Sequence, residues 1–371
     1  MYLHRLRLAQ VRNHAATDLV LAPGASFFVG ANAQGKSTLL EAIHLAATGR
    51  SFRTAREEEM IALGEAWGRI RTVVQRADRE EEIEITLRRQ SGRDAQATPE
   101  FRVNGVVLRR GELFGHLRSV AVAPEDAAVV TGSPQHRRRL LDLLLAQISP
   151  TYYDGARRYQ RVLMQRNRLL RRRQPGGLDP WDEQLAVLGA AITLRRRGVA
   201  ARLSEHAAPI YQVLSGGHEA LQIEYIPSLS GSDAAALQAY ALAALPARRV
   251  WEMAQGTTTL GPHRDDLRLW VDGRDLRAFG SRGQQLSAML AVRLAERRIL
   301  REEGGEEPVL LLDDVLLTLD EHRQAFLLDA VGGSQALFTV TTPASVPAHH
   351  GDAVVFTVQA GKVERVHAHR S

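Results

Sequence analysis

The chain has 371 residues, of which 44% are hydrophobic, so it is long enough to bury a substantial core and to form two domains. It contains no cysteine, which excludes disulfide bonds and thiolate metal sites. The formal net charge is +6, carried mostly by arginine, which permits binding to nucleic-acid phosphates without requiring it. No apolar run approaches the roughly 18 residues of a membrane span, and residues 1–10 alternate like a strand instead of forming a signal peptide, so we expect a cytoplasmic protein.

Short strands dominate the first part of the chain. The strands predicted there are residues 2–8, 18–21, 26–29, 69–76, 82–88 and 100–108. The last of them contains the Asn104–Gly105 hairpin signal. A helix is predicted over residues 37–47, with Gly49 as its C-terminal stop.

The pattern becomes helical near Gly132. Residues 135–215 are rich in Leu, Ala and Arg and are interrupted once, at residues 175–177, which predicts two long helices that meet at a turn. The later predicted elements are a strand at 221–227, a helix at 233–245, a strand at 267–271, a helix at 284–301, and strands at 309–312 and 336–341.

A glycine-rich segment connects the strand at 26–29 to the helix at 37–47. It matches the G-x-x-x-x-G-K-[ST] pattern and consists of Gly30, Ala31, Asn32, Ala33, Gln34, Gly35, Lys36 and Ser37. The glycines let successive backbone N–H groups point at one anion, and the helix N-terminus adds positive potential there. Lys36 would reach the β- and γ-phosphates, and the Ser37 hydroxyl would bind Mg²⁺. The pattern predicts a nucleotide site and leaves open whether the base is adenine or guanine.

Two acidic residues, Asp313 and Asp314, follow the apolar run at 309–312. Such a run is typical of a central parallel strand, and α/β sheets bind their ligands at the C-terminal ends of these strands. We predict that Asp313 holds Mg²⁺ directly or through water, and that Asp314 polarises the attacking water. Acids also end strands without any function, but the phosphate loop in the same chain favours the catalytic interpretation.

The segment Ser281-Arg282-Gly283-Gln284-Gln285 directly precedes a predicted helix. The Ser281 hydroxyl and the unobstructed backbone of Gly283 at a helix N-terminus can bind an anion. On its own the pattern indicates an ordinary N-cap. Its position between a phosphate loop and an acid-ended strand predicts a second phosphate contact.

An arginine-rich helix is predicted within residues 155–178, a stretch without any acidic residue. Its buried stripe consists of Tyr159, Val162, Leu163, Leu169 and Leu170. The DNA-binding candidates are Arg157, Arg158, Arg161, Arg168, Arg171, Arg172 and Arg173, and Arg166 lies in the same run. A charge run is usually a solvated helix face, but the lack of neutralising acids favours sequence-independent, salt-dependent contact with phosphates. Residues 195–197, three arginines on the returning helix, would extend this surface.

The order of these motifs resembles the head of an ABC-type ATPase: phosphate loop, helical insertion, Ser-x-Gly-Gln before a helix, then an apolar strand with two acids. Over essentially its full length the chain also resembles the RecF family of bacterial recombination mediators. The stretches that carry this resemblance are residues 12–14, 30–43, 49–53, 123–126, 132–134, 137–138, 141–142, 261–267, 281–285, 312–315 and 319–320.

The resemblance implies an α/β fold, with an ABC-type P-loop ATPase head of mixed sheet and flanking helices and a helical lobe like a short antiparallel coiled coil. Residues 1–130 and 251–371 would form the head, and residues 131–250 the arginine-rich lobe. The activity implied is that of a weak, DNA-dependent ATPase with ATP and Mg²⁺ as cofactors. Asp314 stands where many relatives of the wider class have Glu, which suggests slow hydrolysis.

The resemblance also implies roles for individual residues. Nucleotide contacts would come from Arg12, Asn13, Gly30, Ala31, Asn32, Ala33, Gln34, Gly35, Lys36, Ser37 and Thr38. Lys36, Asp313 and Asp314 would be catalytic, and Ser37 and Asp313 would hold Mg²⁺. Residues 124–126, Pro-Glu-Asp, stand where transporter-type heads carry a glutamine.

The partners are implied in the same way. Ser281, Gly283 and Gln284 of one copy would act in trans on the ATP held by a second copy, so ATP would hold a homodimer together. The dimer would bind DNA at gaps, between single strand and duplex, and would work with RecR and RecO in recombinase loading.

Two alternatives belong to other functional classes. The ATPase subunit of a membrane transporter would share the motifs but would not need the basic lobe. A chromosome-organising protein of the SMC and Rad50 kind would need a coiled coil of hundreds of residues, and the insertion here has room only for a helical pair.

Overall fold

The computed structural model describes residues 1–54, 56–89, 99–174, 176–346 and 353–366. The predicted break at residues 175–177 therefore lies partly outside the described residues. None of the helices in the described part combines the length and the apolar character that crossing a bilayer requires.

Fifteen strands are present in the described part of the chain. They are β1 (Tyr2–Val11), β2 (His14–Val20), β3 (Ala25–Val29), β4 (Trp67–Gln75), β5 (Glu80–Arg88), β6 (Glu100–Val103), β7 (Val106–Leu108), β8 (Ser119–Val122), β9 (Leu221–Ile226), β10 (Asp266–Val271), β11 (Arg274–Asp275), β12 (Val309–Leu312), β13 (Ala336–Val340), β14 (Val354–Gln359) and β15 (Lys362–Val366).

The same residues contain nine α-helices. They are α1 (Lys36–Thr48), α2 (Ala127–Thr131), α3 (Pro134–Ile148), α4 (Pro150–Arg171), α5 (Asp179–Leu214), α6 (Ala234–Gln255), α7 (Leu276–Phe279), α8 (Arg282–Gly304) and α9 (Glu321–Ala330).

The chain divides into two compact units. The first contains residues 1–126 and 296–371, and the second contains residues 127–295. The resemblance placed the second boundary at residue 250, whereas residues 251–295 belong to the second unit. The physical reason is the antiparallel pairing of β10 with β9, which ties this segment to the sheet of the second unit.

The first unit contains two six-stranded sheets. One has the order β2-β1-β4-β5-β6-β7 with antiparallel neighbours, and the other has the order β15-β14-β3-β13-β12-β8. In the second sheet β14, β3, β13, β12 and β8 run parallel and only the edge strand β15 is antiparallel. The prediction of a mixed sheet with flanking helices is confirmed.

One hydrophobic core joins both sheets to α1. Leu39, Leu40 and Ile43 of this helix are fully buried, together with Leu6 of one sheet and Leu337 of the other. The helix begins directly after the phosphate loop, so the packing of its apolar residues also fixes the position of that loop. It ends at Gly49, whose left-handed φ of 67° is the predicted C-terminal stop.

The predicted hairpin at Asn104–Gly105 is confirmed. Asn104 has φ 49° and Gly105 has φ 81°, and these positive values are what a two-residue turn between β6 and β7 requires. Asn104 Oδ1 also accepts the backbone N–H of Glu82 at 2.8 Å, which attaches the turn to β5.

The second unit consists of helices and a three-stranded sheet of order β11-β10-β9. The prediction of a single helix before the turn at residues 175–177 is wrong, because α3 and α4 are separated at Ser149. Ser149 is extended, with φ −142° and ψ 103°, as is usual for a residue before proline, and Pro150 starts the next helix. The predicted end of α6 at residue 245 is also wrong, since the helix continues through Pro246 to Gln255.

A buried arginine holds three helices of the second unit together. Arg166 of α4 is fully buried, and its guanidinium donates to Asp182 of α5 and to Glu252 of α6, both at 2.5 Å. It also donates to Thr258 Oγ1 at 2.9 Å. The other arginines of this run are exposed, whereas Arg166 lies on the buried face of α4. Arg166 is therefore a structural residue.

We predict that Arg166→Ala lowers the free energy of unfolding by about 3–5 kcal/mol, because it leaves the buried Glu252 without its arginine and Asp182 with only Arg249. Arg168→Ala is the matched control on the exposed face of the same helix and should change the unfolding free energy by no more than about 0.5 kcal/mol. Urea unfolding followed by circular dichroism measures both. Equal, small losses would contradict the structural role of Arg166.

Candidate functional site

The phosphate loop follows β3 and leads into α1. The Lys36 ammonium donates to the carbonyl oxygens of Gly30 at 2.7 Å and Ala31 at 3.0 Å. Gly35, at the N-cap of α1, has φ 109°, and a Cβ there would lie 2.6 Å from His14 Nε2. The loop therefore needs glycine at this position for its conformation and for the close approach of His14.

The carboxylate of Asp313 is oriented by two hydroxyl groups. Ser37 Oγ and Thr339 Oγ1 each donate to Asp313 Oδ1 at 2.7 Å. Thr339 Oγ1 in turn accepts the backbone N–H of Asp314 at 2.8 Å. The end of β12 is thus fixed between the start of α1 and the neighbouring strand β13.

Asp314 has the properties of a strained, partly desolvated carboxylate. Its φ of 50° lies in the left-handed region, which a residue other than glycine rarely adopts. Its Oδ1 is buried and has no hydrogen-bond partner among the described residues. Burial raises the pKa of this carboxyl above its usual value, and Asp313 raises it further, while Lys36 and Thr339 act in the opposite direction.

A cavity of about 400 Å³ lies between the phosphate loop and Asp314. Its lining consists of Arg12, Asn13, Asn32, Ala33, Gln34, Gly35, Lys36, Ser37, Thr38, Arg53 and Asp314. The structure therefore brings together the residues on which the sequence prediction of a nucleotide site rests, with Gly30, Ala31 and Asp313 directly behind them.

Glu41 and Arg53 are site residues that the sequence prediction missed. Glu41 is fully buried in α1 and pairs with Arg12 at 2.9 Å and with Arg53 at 3.9 Å. Ser51 donates a hydrogen bond to the same carboxylate. Glu41 thus holds two arginines that line the cavity. The sequence does contain a signal for Glu41, since it places a carboxylate between Leu40 and Ala42 on an apolar helix. A buried acid requires a partner.

The phosphate loop is also braced by the hairpin of β14 and β15. Ala360 N–H donates to Gln34 Oε1 at 2.7 Å, and Gly361 N–H donates to the Gln34 carbonyl at 3.0 Å. Gly361 has φ 76°, and a Cβ there would lie 2.0 Å from the Asn13 carbonyl oxygen. Only glycine fits this contact.

His14 supports the loop from the turn between β1 and β2. Its Nε2 lies 3.0 Å from the Gly35 carbonyl and its Nδ1 lies 2.9 Å from Thr17 Oγ1. Because a carbonyl only accepts, Nε2 carries the proton in this arrangement. Burial lowers the pKa of the imidazole, so the neutral ring predominates near neutral pH.

The segment around Ser281 lies in the second unit. Ser281 caps α8 in a reciprocal arrangement: its N–H donates to Gln284 Oε1 at 2.8 Å, and its Oγ accepts the N–H of Gln284 at 3.2 Å. Gln285 donates to the Gly280 carbonyl at 3.1 Å. Ser281 and Gly283 are both exposed.

The seven arginines proposed to bind DNA are all exposed on α4 and on the residues that follow it. Across the described ranges of the chain, none of the seven forms an ion pair with a carboxylate. The prediction that residues 195–197 extend this surface is wrong for Arg196, which is buried and donates to Asp142 at 2.9 Å. The Arg197 guanidinium donates hydrogen bonds to the carbonyl oxygens of Gly231 and Ser232.

Residues 124–126 form a short 3₁₀ turn after β8. Asp126 Oδ2 accepts the N–H of Ala123 at 2.9 Å, so this carboxylate stabilises the turn, whereas Glu125 is exposed.

Comparison with known proteins agrees with this geometry. A family model described as the RecF/RecN/SMC N terminal domain matches residues 2–363. A protein of Shouchella clausii named DNA replication and repair protein RecF is 38% identical over 378 residues, which cover 99% of this chain and 100% of that protein. The chain belongs to the RecF family. A RecF protein of Chloroflexus aurantiacus is 41% identical and covers 92% of this chain and 93% of its own length.

The RecF family is also represented among similar solved structures. A structure of the recombination mediator protein RecF with ATP, in the RecFOR pathway, has a TM-score of 0.90 and 31% identity and covers 99% of this chain and 98% of that one. An Smc head bound to the winged-helix domain of ScpA has a TM-score of 0.57 and 16% identity, which shows a shared fold. The prediction of an ABC-type ATPase head is confirmed, and the transporter alternative is set aside because the chain is a RecF-family member.

We predict that Asp314→Asn raises the free energy of unfolding near neutral pH. The folded-state pKa of Asp314 is raised, so this carboxylate costs stability as the pH rises through that pKa, and the amide removes the cost. The gain in unfolding free energy over the parent should shrink as the pH is lowered. It should vanish at the pH where the Asp314 carboxyl of the parent is protonated in both the folded and the unfolded state. Urea unfolding at several pH values measures this.

The matched control is Asp313→Asn at the neighbouring position. This change disturbs the contacts with the Ser37 and Thr339 hydroxyls and should cost about 1 kcal/mol at neutral pH. A loss of stability in both variants at neutral pH would contradict the desolvation of Asp314.

Proposed function

We propose that this RecF-family chain is an ATP-dependent DNA-binding protein of recombinational repair, in which two copies close around ATP and hold DNA, and hydrolysis releases it. The observation that carries the proposal is the convergence of the phosphate loop, two paired arginines and Asp314 on one cavity, with Asp313 bound to Ser37 of its lining. The RecF-ATP structure of the similar protein supports ATP as the nucleotide.

The residues of the cavity fit ATP and Mg²⁺. Lys36 and the backbone N–H groups of the loop bind phosphate oxygens, and Arg12 and Arg53 add positive charge that Glu41 holds in place. Ser37 Oγ and Asp313 Oδ1, 2.7 Å apart, are oxygen ligands of the kind that Mg²⁺ prefers and would hold the ion, which would neutralise charge on the phosphates. Within the described residues no group of three or more His, Cys, Asp or Glu side chains is placed to hold a metal ion.

Asp314 orients the attacking water and accepts its proton. Its raised pKa makes the carboxylate a stronger base than an ordinary surface aspartate. The side chain is one methylene shorter than the glutamate of many ATPases in the class, so hydrolysis is slow. A slow step suits a protein that holds DNA while ATP is bound.

The second half of the site comes from another copy. Ser281 offers a hydroxyl and Gly283 a backbone N–H at the N-terminus of a 23-residue helix, which attracts an anion, and Gln284 holds the turn through its bonds to Ser281. Ser281 and Gly283 are exposed, so the γ-phosphate held by another copy can reach them. ATP thus joins two chains into a homodimer.

DNA binds to the exposed arginines of the second unit. No carboxylate in the described ranges neutralises them, so their charge is available to phosphates. No base-reading element is associated with them, so binding is independent of sequence. The preferred substrate is a gap, where single strand meets duplex, and the partners in recombinase loading are RecR and RecO, as in the pathway named for the similar structure.

Lys36→Met should weaken ATP binding by roughly 10- to 100-fold, the loss expected for a hydrogen bond to a charged group, and should prevent ATP-dependent self-association. Ser281→Arg should leave ATP binding by the single copy unchanged but prevent self-association. Fluorescent-nucleotide titration and analytical ultracentrifugation measure the two properties. Normal self-association of the Ser281→Arg variant would contradict the role in trans.

A triple variant with alanine at Arg171, Arg172 and Arg173 should bind gapped duplex DNA more weakly. The slope of log K against log salt should become less steep by roughly 2–3, because about 0.7–0.9 counter-ions are released per phosphate contact. The control carries alanine at Arg298 and Arg301, which already pair with Glu302 and Glu307. An identical slope in the triple variant and the parent would place the DNA elsewhere.

A further inference from the structure

The Ser281 turn is held in shape by the side chain of Gln284. The amide oxygen of Gln284 accepts the Ser281 N–H at 2.8 Å, and the backbone N–H of Gln284 binds Ser281 Oγ at 3.2 Å. The first contact requires one rotamer of Gln284, whereas the second comes from the Gln284 backbone. The group that fixes this rotamer therefore also holds the Ser281 N–H, and with it the backbone of the turn.

Glu219 binds the other end of the Gln284 amide. Gln284 Nε2 donates to Glu219 Oε1 at 2.8 Å, and Glu219 Oε2 accepts the Tyr211 hydroxyl at 2.6 Å. Glu219 is partly buried in the segment between α5 and β9, and Tyr211 is fully buried in the last turn of α5. A continuous chain of hydrogen bonds thus runs from α5 through Glu219 and Gln284 to Ser281.

We propose that Glu219 is a positioning residue that ties the Ser281 turn to the end of helix α5. The inference rests on the proposed role of Ser281 in trans, and it identifies what keeps that turn ready for a phosphate. Glu219 does not touch the nucleotide and acts through Gln284. Without the Glu219 carboxylate, the Gln284 side chain can adopt more rotamers. The turn must then become ordered when two copies associate, and this entropy cost lowers the affinity of self-association.

The helix to which the turn is tied is the longest of the described helices. Helix α5 has 36 residues and is about 54 Å long at the usual rise per residue. Its first residue, Asp179, follows the segment that contains Arg171, Arg172 and Arg173, and Tyr211 is near its other end. Ser204 of the same helix accepts the N–H of Ile223 at 2.9 Å, so the sheet beside the turn is attached to α5 as well.

The test compares Glu219→Ala with the conservative variant Glu219→Gln in the full-length chain. A glutamine oxygen still accepts from Gln284, and its amide group donates to the Tyr211 oxygen, so the chain of hydrogen bonds is preserved. We expect Glu219→Ala to weaken ATP-dependent self-association by roughly 5- to 10-fold, as for the loss of one or two hydrogen bonds, and Glu219→Gln to stay within about twofold of the parent. ATP binding by the single copy should be unchanged in both.

Tyr211→Phe is a second variant that removes one hydroxyl and keeps the buried ring. It should weaken self-association to a smaller extent than Glu219→Ala. The thermal midpoint of unfolding is measured for each variant. This measurement distinguishes a folding defect in Glu219→Ala from the predicted weakening of self-association. If Glu219→Ala self-associates like the parent, or if Glu219→Gln is impaired as strongly as Glu219→Ala, the positioning role is overturned.

Ser281→Arg distinguishes this inference from the proposed function. Loss of self-association in Ser281→Arg together with normal behaviour of Glu219→Ala rejects the role of Glu219 alone. Normal self-association in Ser281→Arg rejects the role of the turn in trans, and the inference about Glu219 is rejected with it.

Discussion

The hydrogen bond from Ser37 to Asp313 joins two residues that are 276 positions apart, and the nucleotide site depends on it. It is made possible by three parallel strands in the order β3, β13, β12, whose C-terminal ends lie at one edge of the sheet. Leu312 is in register with Phe338, so Asp313 is level with Thr339, the residue that binds both Asp313 and Asp314. A shift of one residue between β12 and β13 would turn Thr339 to the opposite face and dissolve this arrangement.

The phosphate loop is supported from several sides by parts of the chain distant in sequence. His14 contacts the Gly35 carbonyl, the turn at Ala360 and Gly361 binds Gln34, and Glu41 holds Arg12 and Arg53 at the rim of the cavity. Such preorganisation matters because a loop already shaped for a triphosphate loses little conformational entropy when it binds one. The buried charge of Glu41 is tolerated because arginines and a serine compensate it.

The arginines of the second unit serve two different purposes. Arg166 and Arg196 are buried and bind carboxylates of neighbouring helices, whereas Arg168, Arg171 and Arg172 face solvent. The buried ones fix how the helices pack, and this packing determines which arginines remain exposed. Because α5 is linked through Tyr211 and Glu219 to Gln284, the same helix that packs against α4 also supports the Ser281 turn.

The sequence by itself determined the elements whose signals are local. The phosphate loop, the hairpin at Asn104–Gly105 and the acid-ended strand before Asp313 each follow from short patterns of glycine, apolar and acidic residues that act within a few positions. The continuation of α6 past Pro246 and the inward turn of Arg166 and Arg196 were decided by tertiary structure. In each case the outcome depends on packing and ion pairs between distant segments, as with Glu252 near the end of α6, whose buried carboxylate binds Arg166 of another helix. The sequence of an arginine run is the same whether its side chains face water or pair with carboxylates. Only the folded structure distinguishes the exposed arginines from the buried ones.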